Sequence, residues 1–419
     1  MSRVVIAGQG YVGLPLAMAA VACGHDVVGY DLDLRRIKSL AEGDSFVEDI
    51  SSGTVLAALA TGRYRPSDNV LDCADFDVAV LTVPTPLQDG QPDLSCIESA
   101  TKALSSYLSP GALVVLESTT YPGTTEELVV PLLEEGSGLR AGADFSVGYS
   151  PERIDPGNPT WTFVTTPKIV SGIDATSLAR TQAFYDQLVD TTVAVSSPRS
   201  AELAKLLENT FRHVNIALVN ELAMFANDLG VDVWEAIDAA ATKPFGFMRF
   251  TPGPGVGGHC LPVDPSYLSW AVRQRLGRTF RFVELANDIN AHMPHHVLAR
   301  LVAGLNRAGL ALSRSRILVL GLAYKANTSD ARESPALELI NLLWANGATV
   351  AVADPHVVED VPLPALVERV TLDAAQVQQA DAVVLITDHA RFDLELVATH
   401  ASYVLDTRHR LSGANVETL

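Results

Sequence analysis

Apolar runs and glycines alternate over the first part of the chain. Residues 4–7 (VVIA) form a β-branched run bounded by glycine, which is typical of a strand buried on both faces of a parallel sheet. After a glycine-rich turn, the apolar run LPLAMAAVACG predicts a helix that ends at Gly24. Residues 26–31 (DVVGYD) predict the next strand. A strand, a helix and a strand in this order predict a βαβ unit with a right-handed crossover.

The same pattern continues to about residue 195. Further β-branched and apolar runs predict strands at residues 77–83, 112–119, 145–150 and 168–172, with helices between several of them. We therefore expect an open parallel sheet covered by helices.

A long amphipathic pattern begins at Ser197. Pro198 fits a first helical turn capped by Ser197, and apolar residues then recur at intervals of three and four until Gly230. These positions are Leu203, Leu206, Leu207, Phe211, Val214, Leu218, Leu222, Phe225 and Leu229. At about 1.5 Å per residue the helix is about 50 Å long, which is more than a typical single domain needs. We expect it to join two domains and to supply a dimer interface.

The C-terminal third repeats the order of strand, turn and helix. Residues 316–325 predict a strand and a turn, SPALELINLLWANG predicts a helix ending at Gly347, and ATVAVADP and residues 380–388 predict two more strands. The first turn has only Gly321 and lacks the GxGxxG spacing, so we expect the two sheets to bind different nucleotide-like ligands. The predicted fold is α/β, with two Rossmann-like doubly wound domains joined by a long central helix. The expected domains are residues 1–196, 197–300 and 301–419.

Composition and charge exclude several classes of protein. With 419 residues, of which 48% are hydrophobic and 19% charged, the chain has an ordinary globular composition. Its formal charge of -19 repels polyanions, so we expect neither a nucleic-acid partner nor an acidic membrane partner. Residues 4–24 carry no charge, but glycines and a proline interrupt them, so we expect neither a membrane anchor nor a signal peptide. The four cysteines match neither a disulfide framework nor a zinc motif, which predicts a cytoplasmic protein without a metal site.

Gly8, Gly10 and Gly13 have the spacing of a dinucleotide-binding turn. The first glycine of such a turn permits the tight bend, the second permits close approach of the pyrophosphate, and the third lets the helix pack against the strand. The helix N-terminus then offers free N–H groups and a positive dipole end to the phosphates. Asp31 ends the second strand, where a carboxylate accepts the ribose hydroxyls and disfavours the 2'-phosphate of NADP. We predict NAD as the cofactor; the alternative is a glycine turn selected for packing.

Cys260 is the candidate nucleophile. It lies in TPGPGVGGHCLPVDP, residues 251–265, whose glycines and prolines predict a shaped loop that lets a substrate approach closely. It directly follows His259 and precedes Asp264 by four residues. For a lone cysteine the alternative is a small buried hydrophobic role, and His259 either tunes the thiol or is structural.

Lys205 and Asn209 point to one face of the long helix, because they are four residues apart. An ammonium group together with an amide is suited to stabilising an alkoxide or an oxyanion. A solvated helix face is the alternative. The neighbouring Leu206 and Leu207 favour a packed environment instead.

Two polar clusters follow predicted strands. Glu152, Arg153 and Asp155 lie at a sheet edge of the kind where doubly wound folds bind ligands. A carboxylate there could activate water, and a salt-bridged loop is the alternative. Lys325 and Arg332 lie in the first turn of the second sheet and could pair with phosphates without glycines.

Several motifs give the chain a family resemblance: GQGYVGLP, VPTPL, LESTTYPGTT, SPERIDPGN, ELAKLLEN, PGVGGHCLPVDP and GLAYKANTSDARESP. They span nearly the whole sequence, and with them the chain resembles the UDP-glucose/GDP-mannose dehydrogenase family. The GGHC and PVDP forms, with LESTTYPGTT, resemble the branch that oxidises UDP-N-acetylhexosamines. The resemblance implies an N-terminal NAD domain, a central helical dimerisation domain and a C-terminal domain that binds the sugar nucleotide.

The resemblance also implies roles for individual residues. The implied catalytic positions are Cys260, Lys205, Asn209, Asp264, Glu152 and Thr119. The expected NAD contacts are Gly8, Gly10, Tyr11, Val12, Gly13, Asp31, Arg36, Pro84, Thr85, Ser118, Thr119 and Arg332. The expected substrate contacts are Glu152, Arg153, Lys205, Asn209, His213, Arg249, Gly257, Lys325 and Arg408. Ile154 departs from the acidic residue that is common in this branch.

The implied reaction oxidises the C6 alcohol of the hexose to an acid by two successive hydride transfers to two NAD molecules. The Cys260 thiolate adds to the aldehyde, which gives a thiohemiacetal and then a thioester. Water positioned by Asp264 or Glu152 releases the acid, while Lys205 and Asn209 stabilise the oxyanions.

Three alternatives remain open at this stage. A UDP- or TDP-glucose 6-dehydrogenase would use the same residues on another sugar. A hydroxyacid-type dehydrogenase would transfer one hydride, with Lys205 and Asn209 as its acid–base pair and Cys260 structural. A non-catalytic NAD-sensing regulator would bind no sugar nucleotide.

Overall fold

The protein is described from a computed structural model that covers residues 1–88, 90–155, 158, 160–258, 260–358 and 361–419. Contacts divide these residues into two compact units, Met1–Glu208 with Ser266–Arg278 and Asn209–Pro265 with Thr279–Leu419. Within the described residues, no helix has both the length and the apolar character needed to cross a lipid bilayer.

The described strands and helices alternate along most of the chain. The strands are β1 (Arg3–Ala7), β2 (Asp26–Tyr30), β3 (Tyr64–Ser67), β4 (Val78–Leu81), β5 (Leu87–Gln88), β6 (Gln91–Pro92), β7 (Leu113–Leu116), β8 (Ser146–Tyr149), β9 (Lys168–Gly172), β10 (Thr192–Ala194), β11 (Arg316–Leu320), β12 (Thr349–Ala353), β13 (Glu368–Arg369), β14 (Ala382–Leu385), β15 (Val404–Asp406) and β16 (Val416–Thr418). The α-helices are α1 (Gly13–Ala22), α2 (Leu34–Ala41), α3 (Ser52–Ala60), α4 (Ser95–Ser105), α5 (Val130–Ser137), α6 (Ala175–Tyr185), α7 (Pro198–Leu229), α8 (Val233–Ala241), α9 (Cys260–Leu276), α10 (Arg281–Arg307), α11 (Pro335–Ala345), α12 (Ala374–Gln379) and α13 (Leu394–His400).

The first unit contains an eight-stranded sheet in the order β10-β9-β8-β7-β4-β1-β2-β3. Strand β1 shows why its run is apolar throughout: Val4 and Ile6 enter one core and Val5 and Ala7 enter the core on the opposite face. Both faces of the strand are therefore buried, as in other doubly wound sheets. The predicted α/β class is confirmed.

The first sheet differs from the sequence prediction in three respects. Strand β9 runs antiparallel to β8, whereas the other neighbours in this sheet pair in parallel. Strand β7 ends at Leu116 rather than at residue 119, because Glu117 and the residues after it leave the sheet for a loop. Strands β3 and β10 were not predicted, since β3 (YRPS) contains an arginine and a proline and β10 has only three residues.

Helix α7 has the predicted bounds but an unexpected distribution of side chains. Its buried face carries several polar residues among apolar ones: Glu202, Lys205, Asn209, His213 and Asn220. Apolar residues occupy much of its exposed face: Leu203, Leu207, Phe211, Leu218, Leu222, Phe225 and Leu229. The expectation that Leu206 and Leu207 are both packed is therefore correct only for Leu206, because Leu207 is 63% exposed.

The second unit contains a six-stranded sheet in the order β13-β12-β11-β14-β15-β16, and all of its neighbours are parallel. Side chains of β11 alternate between two cores, with Ile317 and Val319 on one face and Leu318 and Leu320 on the other. The predicted second Rossmann-like sheet is confirmed, while β13, β15 and β16 were not predicted from their short runs.

The segment predicted as one loop, residues 251–265, is only partly a loop. Helix α9 begins at Cys260, so Cys260 starts a helix instead of lying within the loop. A proline is tolerated in the first helical turn, whose N–H groups have no intrahelical acceptor, and Pro262 lies in that turn. Pro265 lies farther inside the helix and leaves one backbone hydrogen bond unmade.

Candidate functional site: a dinucleotide turn and a second nucleotide-type sheet

The glycine turn after β1 has the geometry that its spacing predicts. Gly8 has a φ of +97°, and an added Cβ would lie 2.6 Å from the Thr82 carbonyl oxygen. A Cβ on Gly13 would lie 1.8 Å from the Gly8 carbonyl oxygen. A Cβ on Gly10 would meet only Arg36 Nη1, at 3.9 Å. Two glycines therefore close the turn, and Gly10 leaves open space for an approaching phosphate group.

Helix α1 begins directly after this turn, and no described side chain caps its first amides. Its N-cap residue is Val12, which forms no side-chain capping bond. Asp31 follows β2, and its Oδ2 accepts a hydrogen bond from Gln9 N at 2.8 Å and lies 3.5 Å from Arg36 Nη1. The structure thus brings the predicted glycines together with Asp31 and Arg36. Tyr11 and Val12 are half-buried in the turn.

Sequence reasoning missed Gln9 and Tyr64, which support the turn from below. Gln9 is fully buried, its Nε2 donates to Ile6 O at 2.9 Å, and its Oε1 accepts from the Tyr64 hydroxyl at 2.8 Å. Burial, with a smaller contribution from Asp31, raises the pKa of Tyr64, so its hydroxyl remains a donor. A glutamine between two glycines of an apolar turn was the available signal.

The loops after β4 and β7 carry the other residues predicted to contact NAD in the first unit. Thr85 is buried beside Pro84, and Tyr267 of α9 donates to the Pro86 carbonyl at 3.1 Å. The Ser118 hydroxyl donates to Val83 O at 2.7 Å, which ties the two loops together. Thr119 is half-buried on the second of these loops.

Glu202, another residue that the sequence did not single out, fixes the segment after Thr119. Its carboxylate accepts from Gly123 N at 2.5 Å and from Thr125 N at 2.9 Å. Burial raises the pKa of Glu202, and these donors oppose that effect.

Glu152, Arg153 and Lys205 are brought together in the first unit. Lys205 Nζ donates to the main-chain carbonyl of Glu152 at 2.5 Å. Glu152 Oε1 accepts from its own loop, at 2.6 Å from Arg153 N and 2.5 Å from Ile154 N. Arg153 forms an ion pair with Glu208 at 2.8 Å and donates to Pro167 O. Asp155 accepts from Asn158 at 3.2 Å in the same loop.

Asn209 and Asp264 are hydrogen-bonded in the second unit. Asn209 Nδ2 donates to Asp264 Oδ2 at 2.5 Å, and the two residues are 6% and 2% exposed. Asp264 lies one helical turn after Cys260 in α9. His259 and the side chain of Cys260 lie outside the described part of the chain.

The glycine-rich segment before α9 packs against the turn after β11. A Cβ on Gly257 would lie 2.7 Å from Tyr324 Cβ, and Gly258 N donates to Arg332 O at 3.0 Å. A Cβ on Gly253 would lie 3.1 Å from Arg408 Nη1. The structure therefore groups the predicted residues Gly257, Arg408 and Arg332 around one turn, which also carries Lys325.

Arg408 is held by the second sheet itself. Its Nε donates to Ile386 O at 2.6 Å. Burial lowers the pKa of Arg408, and Asp388 and Asp406 oppose that shift. The Arg332 side chain is paired with Asp330 at 2.6 Å.

His213 and Arg249 have other surroundings. His213 Nε2 lies 2.7 Å from Asn287 Oδ1, and burial lowers the pKa of the imidazole. It lines a cavity of about 570 Å³ together with Val256 and Pro262. Arg249 is half exposed and paired with Asp238 at 2.7 Å.

These features define a class of protein. One unit has a complete dinucleotide turn with an acid after the second strand, which fits NAD, and the other has a Rossmann-like sheet without that turn. This combination is expected of a dinucleotide-dependent oxidoreductase with a second nucleotide-type ligand.

Comparison with known proteins identifies the family. The chain matches the NAD binding domain, the central domain and the UDP binding domain of the UDP-glucose/GDP-mannose dehydrogenase family at residues 2–189, 199–292 and 318–413. The chain belongs to this family of NAD-dependent nucleotide-sugar dehydrogenases.

Individual relatives are similar over almost their whole length. A UDP-N-acetyl-D-mannosamine dehydrogenase of Pyrococcus horikoshii is 38% identical over 93% of this chain and 90% of its own. A solved structure of a UDP-D-ManNAc dehydrogenase from Pyrococcus horikoshii has a TM-score of 0.89 at 34% identity, covering 99% of this chain and 98% of its own. A UDP-glucose dehydrogenase from Pyrobaculum islandicum also has a TM-score of 0.89, at 29% identity over 100% and 96%.

Proposed function

We propose that this protein is a UDP-N-acetylhexosamine 6-dehydrogenase that oxidises the C6 alcohol to a carboxylic acid with two NAD molecules. The buried hydrogen bond between Asn209 and Asp264, one helical turn from Cys260, carries this proposal. It places an amide and a carboxylate at the start of the helix that begins with the candidate nucleophile. The similarity to a UDP-N-acetyl-D-mannosamine dehydrogenase supports the choice of sugar.

The first unit has the residues to hold NAD. The amides at the start of α1 and the open side of Gly10 fit the pyrophosphate, and Asp31 fits the ribose hydroxyls. The bound nicotinamide supplies a hydride acceptor. We propose that Thr85, Ser118 and the other residues of the loops after β4 and β7 line the nicotinamide end.

Cys260 is proposed as the nucleophile that retains the half-oxidised substrate. Its thiolate adds to the aldehyde carbon, and loss of a second hydride turns the thiohemiacetal into a thioester. Lys205 and Asn209 stabilise the negative oxygen in these steps, and Thr119 contributes from the loop after β7.

Asp264 is favoured over Glu152 as the residue that positions the hydrolytic water. Asp264 is oriented by Asn209 and lies on the helix of Cys260. A carboxylate positioned in this way is suited to a general base.

The second unit is proposed to bind the nucleotide. Lys325, in the turn after β11, and Arg408, after β15, supply positive charge, and the chain as a whole is acidic. The segment with Gly257 packs against the same turn, which also carries Arg332. Burial holds Arg408 in place, which favours recognition of a diphosphate or a base. His213, Arg153 and Arg249 remain proposed contacts of the sugar or the diphosphate.

We propose that domains 1–196, 197–300 and 301–419 serve NAD binding, dimerisation and sugar-nucleotide binding. The exposed apolar stripe of α7 supports a homodimer, because Leu207, Leu218 and Phe225 are 53% to 63% exposed. A second copy presents the same stripe and is able to cover it. A cytoplasmic location is proposed from the pattern of cysteines.

A UDP- or TDP-glucose 6-dehydrogenase is the second candidate, since the backbone resembles a UDP-glucose dehydrogenase to the same degree. UDP- and TDP-hexoses, with and without the N-acetyl group, would be assayed for NADH formation. Two NADH per UDP-N-acetylhexosamine support the main proposal. One NADH per substrate would support the single-hydride reaction, and no sugar-nucleotide binding would support an NAD sensor.

Cys260→Ser tests the covalent step. The variant is expected to stall after the aldehyde or an ester adduct, and Cys96→Ser, on helix α4, is the matched control. Undiminished formation of the acid by Cys260→Ser would reject the role of Cys260.

A further inference from the structure

A buried cluster of charges lies at the edge of the first sheet, next to the site of Lys205. Lys168 Nζ lies 3.0 Å from Glu117 Oε1 and 3.1 Å from Glu152 Oε2. The Tyr185 hydroxyl donates to Glu117 Oε1. Lys168 is 3% exposed, and Glu117 and Tyr185 are 1% and 0% exposed. The ammonium group of Lys168 therefore forms ion pairs with two carboxylates in a buried environment.

The antiparallel direction of β9 creates this cluster. Glu117 follows the end of β7, and Glu152 follows the end of β8. Lys168 is the first residue of β9, which pairs antiparallel with β8 through Tyr149 and Ser171. A strand that reverses direction places its first residue at the edge where its neighbours end. In an all-parallel sheet Lys168 would lie at the opposite edge.

Glu152 links this cluster to Lys205. One oxygen of its carboxylate is bound by Lys168, and the other accepts the N–H groups of Arg153 and Ile154. Its main-chain carbonyl accepts Lys205 Nζ. Holding the carboxylate therefore fixes the peptide whose carbonyl receives the ammonium group of Lys205.

The charge balance of the cluster depends on Lys168. Burial raises the pKa of Glu117, and the neighbouring Lys168 opposes that shift. Burial by itself lowers the pKa of Lys168, but the carboxylates of Glu117 and Glu152 outweigh burial and raise it. Without Lys168, two buried carboxylates would be left without an ammonium group between them.

We propose that Lys168 is a positioning residue for the dehydrogenase: held between Glu117 and Glu152, it fixes the Glu152 peptide and thereby the ammonium group of Lys205. This inference rests on the proposed role of Lys205 in oxyanion stabilisation. Lys168 itself does not touch the reacting atoms, and Tyr185 supports it by holding Glu117.

Lys168→Met tests the proposal in the full-length enzyme, with the exposed Lys102→Met as the matched control. We expect kcat to fall roughly 100-fold while KM for NAD changes by less than about 3-fold, because a displaced Lys205 affects the reaction and not the dinucleotide turn. The acid limb of the kcat–pH profile is expected to move to higher pH, since the buried Glu117 carboxylate loses its ammonium partner and retains a proton more readily.

Hydrogen exchange gives a second readout that does not require turnover. The amides of Arg153 and Ile154 are expected to exchange faster in Lys168→Met, because their acceptor on Glu152 is released, and unchanged in Lys102→Met. Faster exchange in a protein that oxidises no sugar nucleotide would support the link from Lys168 to Glu152 and refute the proposed function. If the wild-type enzyme oxidises the sugar nucleotide, but Lys168→Met changes neither kcat nor the exchange of these two amides, the positioning role alone is refuted.

The double variant Lys168→Met/Glu117→Gln separates charge balance from positioning. It removes the second carboxylate but leaves Glu152 without its ammonium partner, so we expect kcat to stay within about 3-fold of that of Lys168→Met. Recovery of kcat to the wild-type value would show that Lys168 only balances charge and would overturn the positioning role. If Lys168→Met does not fold, Tyr185→Phe replaces it, because it removes one hydroxyl. A Tyr185→Phe enzyme with the wild-type kcat–pH profile would overturn the proposal.

Discussion

The turns after β1 and β11 have the same geometry at their first glycine. Gly8 and Gly321 have φ values of +97° and +95°, and an added Cβ would clash with Thr82 in one turn and with Thr387 in the other. Each turn is also followed across the sheet by an acid at the end of the next strand, Asp31 or Asp354. The two turns therefore share the geometry of their first glycine, although only the first has the GxGxxG spacing.

Asp31 and Asp354 differ in how many hydrogen bonds their carboxylate oxygens accept from the protein. Both accept the amide that follows the first glycine: Asp31 from Gln9 N at 2.8 Å and Asp354 from Leu322 N at 2.6 Å. Asp354 also accepts from Ala323 N, His356 N, Val357 N and His389 Nε2. A carboxylate has about four lone-pair sites, so Asp354 has none left for ribose hydroxyls.

The helices that follow the two turns also differ, in whether a side chain caps their first amides. No described side chain caps α1, whereas Ser334 caps α11 by accepting from Ala336 N and Pro335 occupies its first position. A side chain thus takes one of the first amides of α11, whereas no described side chain takes those of α1. A Rossmann-like sheet does not by itself imply a dinucleotide site. Such a site also needs an acid that can accept the ribose hydroxyls and helix amides that can donate to the pyrophosphate.

The largest expected effect is on the stability of the second turn. Asp354→Asn removes the charge that accepts the His389 ring N–H and the backbone amides, and each hydrogen bond to a charged group contributes roughly 1.5–3 kcal/mol. Burial alone raises the pKa of Asp354, but its hydrogen bonds outweigh burial and hold that pKa well below the ordinary value. Thermal unfolding of the full chain at pH 7 measures the loss.

The pH dependence of this loss has a defined sign. Because the folded pKa is depressed, Asp354 stabilises the protein fully above about pH 4, the ordinary range of an unfolded aspartate, and less as pH falls further. The gap in Tm between wild type and Asp354→Asn should therefore narrow below about pH 4. A gap that widens on acidification would contradict the assignment.

Gly8→Ala should weaken NAD binding by about 100-fold, because its Cβ would lie 2.6 Å from Thr82 O and force the first turn open. Gly321→Ala is the matched change in the second sheet, and it should lower Tm without changing the Kd of NAD. Fluorescence titration with NADH measures both. Equal effects on NAD binding would remove the distinction between the turns.

Asp31→Ser should shift cofactor preference towards NADP. It removes the carboxylate and leaves Arg36, 3.5 Å away, to receive the 2'-phosphate. We expect the ratio of kcat/KM for NADP to that for NAD to rise by about 10-fold or more. Asp354→Ser is expected to leave the ratio unchanged, and a change there would contradict the comparison.

The smallest expected effect is that of the helix cap. Ser334→Ala removes the acceptor for Ala336 N and should cost about 1 kcal/mol, seen as a small fall in Tm. The Kd of NAD should not change. A change in NAD affinity would mean that α11, rather than α1 alone, serves the dinucleotide.

The local patterns that could be predicted were those that a few neighbouring residues settle. The glycine spacing, the runs of β1, β2 and β11, and the bounds of α7 all follow from short-range sterics and periodicity. The motif of Lys205 and Asn209 was found in the same way. Gln9 and Glu202 were missed because their partners, Tyr64 and Thr125, are distant in sequence.

The distribution of residues on α7 shows where periodicity misleads. Apolar residues at intervals of three and four normally mark the buried face of a helix. Here the buried stripe includes the polar residues Glu202, Lys205 and Asn209, which bind loops and a neighbouring carboxylate. The apolar stripe with Leu207 is exposed. The intervals are the same for both stripes, so sequence alone could not tell which one faces inward.

The amino-acid sequence by itself determined the elements and the chemistry available to them: which segments are strands and helices, where the backbone bends at glycine, and which side chains are acids, bases or nucleophiles. The tertiary structure decided which of these groups are already satisfied. It occupied Asp354 and left Asp31 partly open, and it reversed β9 so that Lys168 meets Glu117 and Glu152. The physical reason is that a hydrogen bond or an ion pair depends on distance in space, which residues far apart in the chain acquire only when the sheets form.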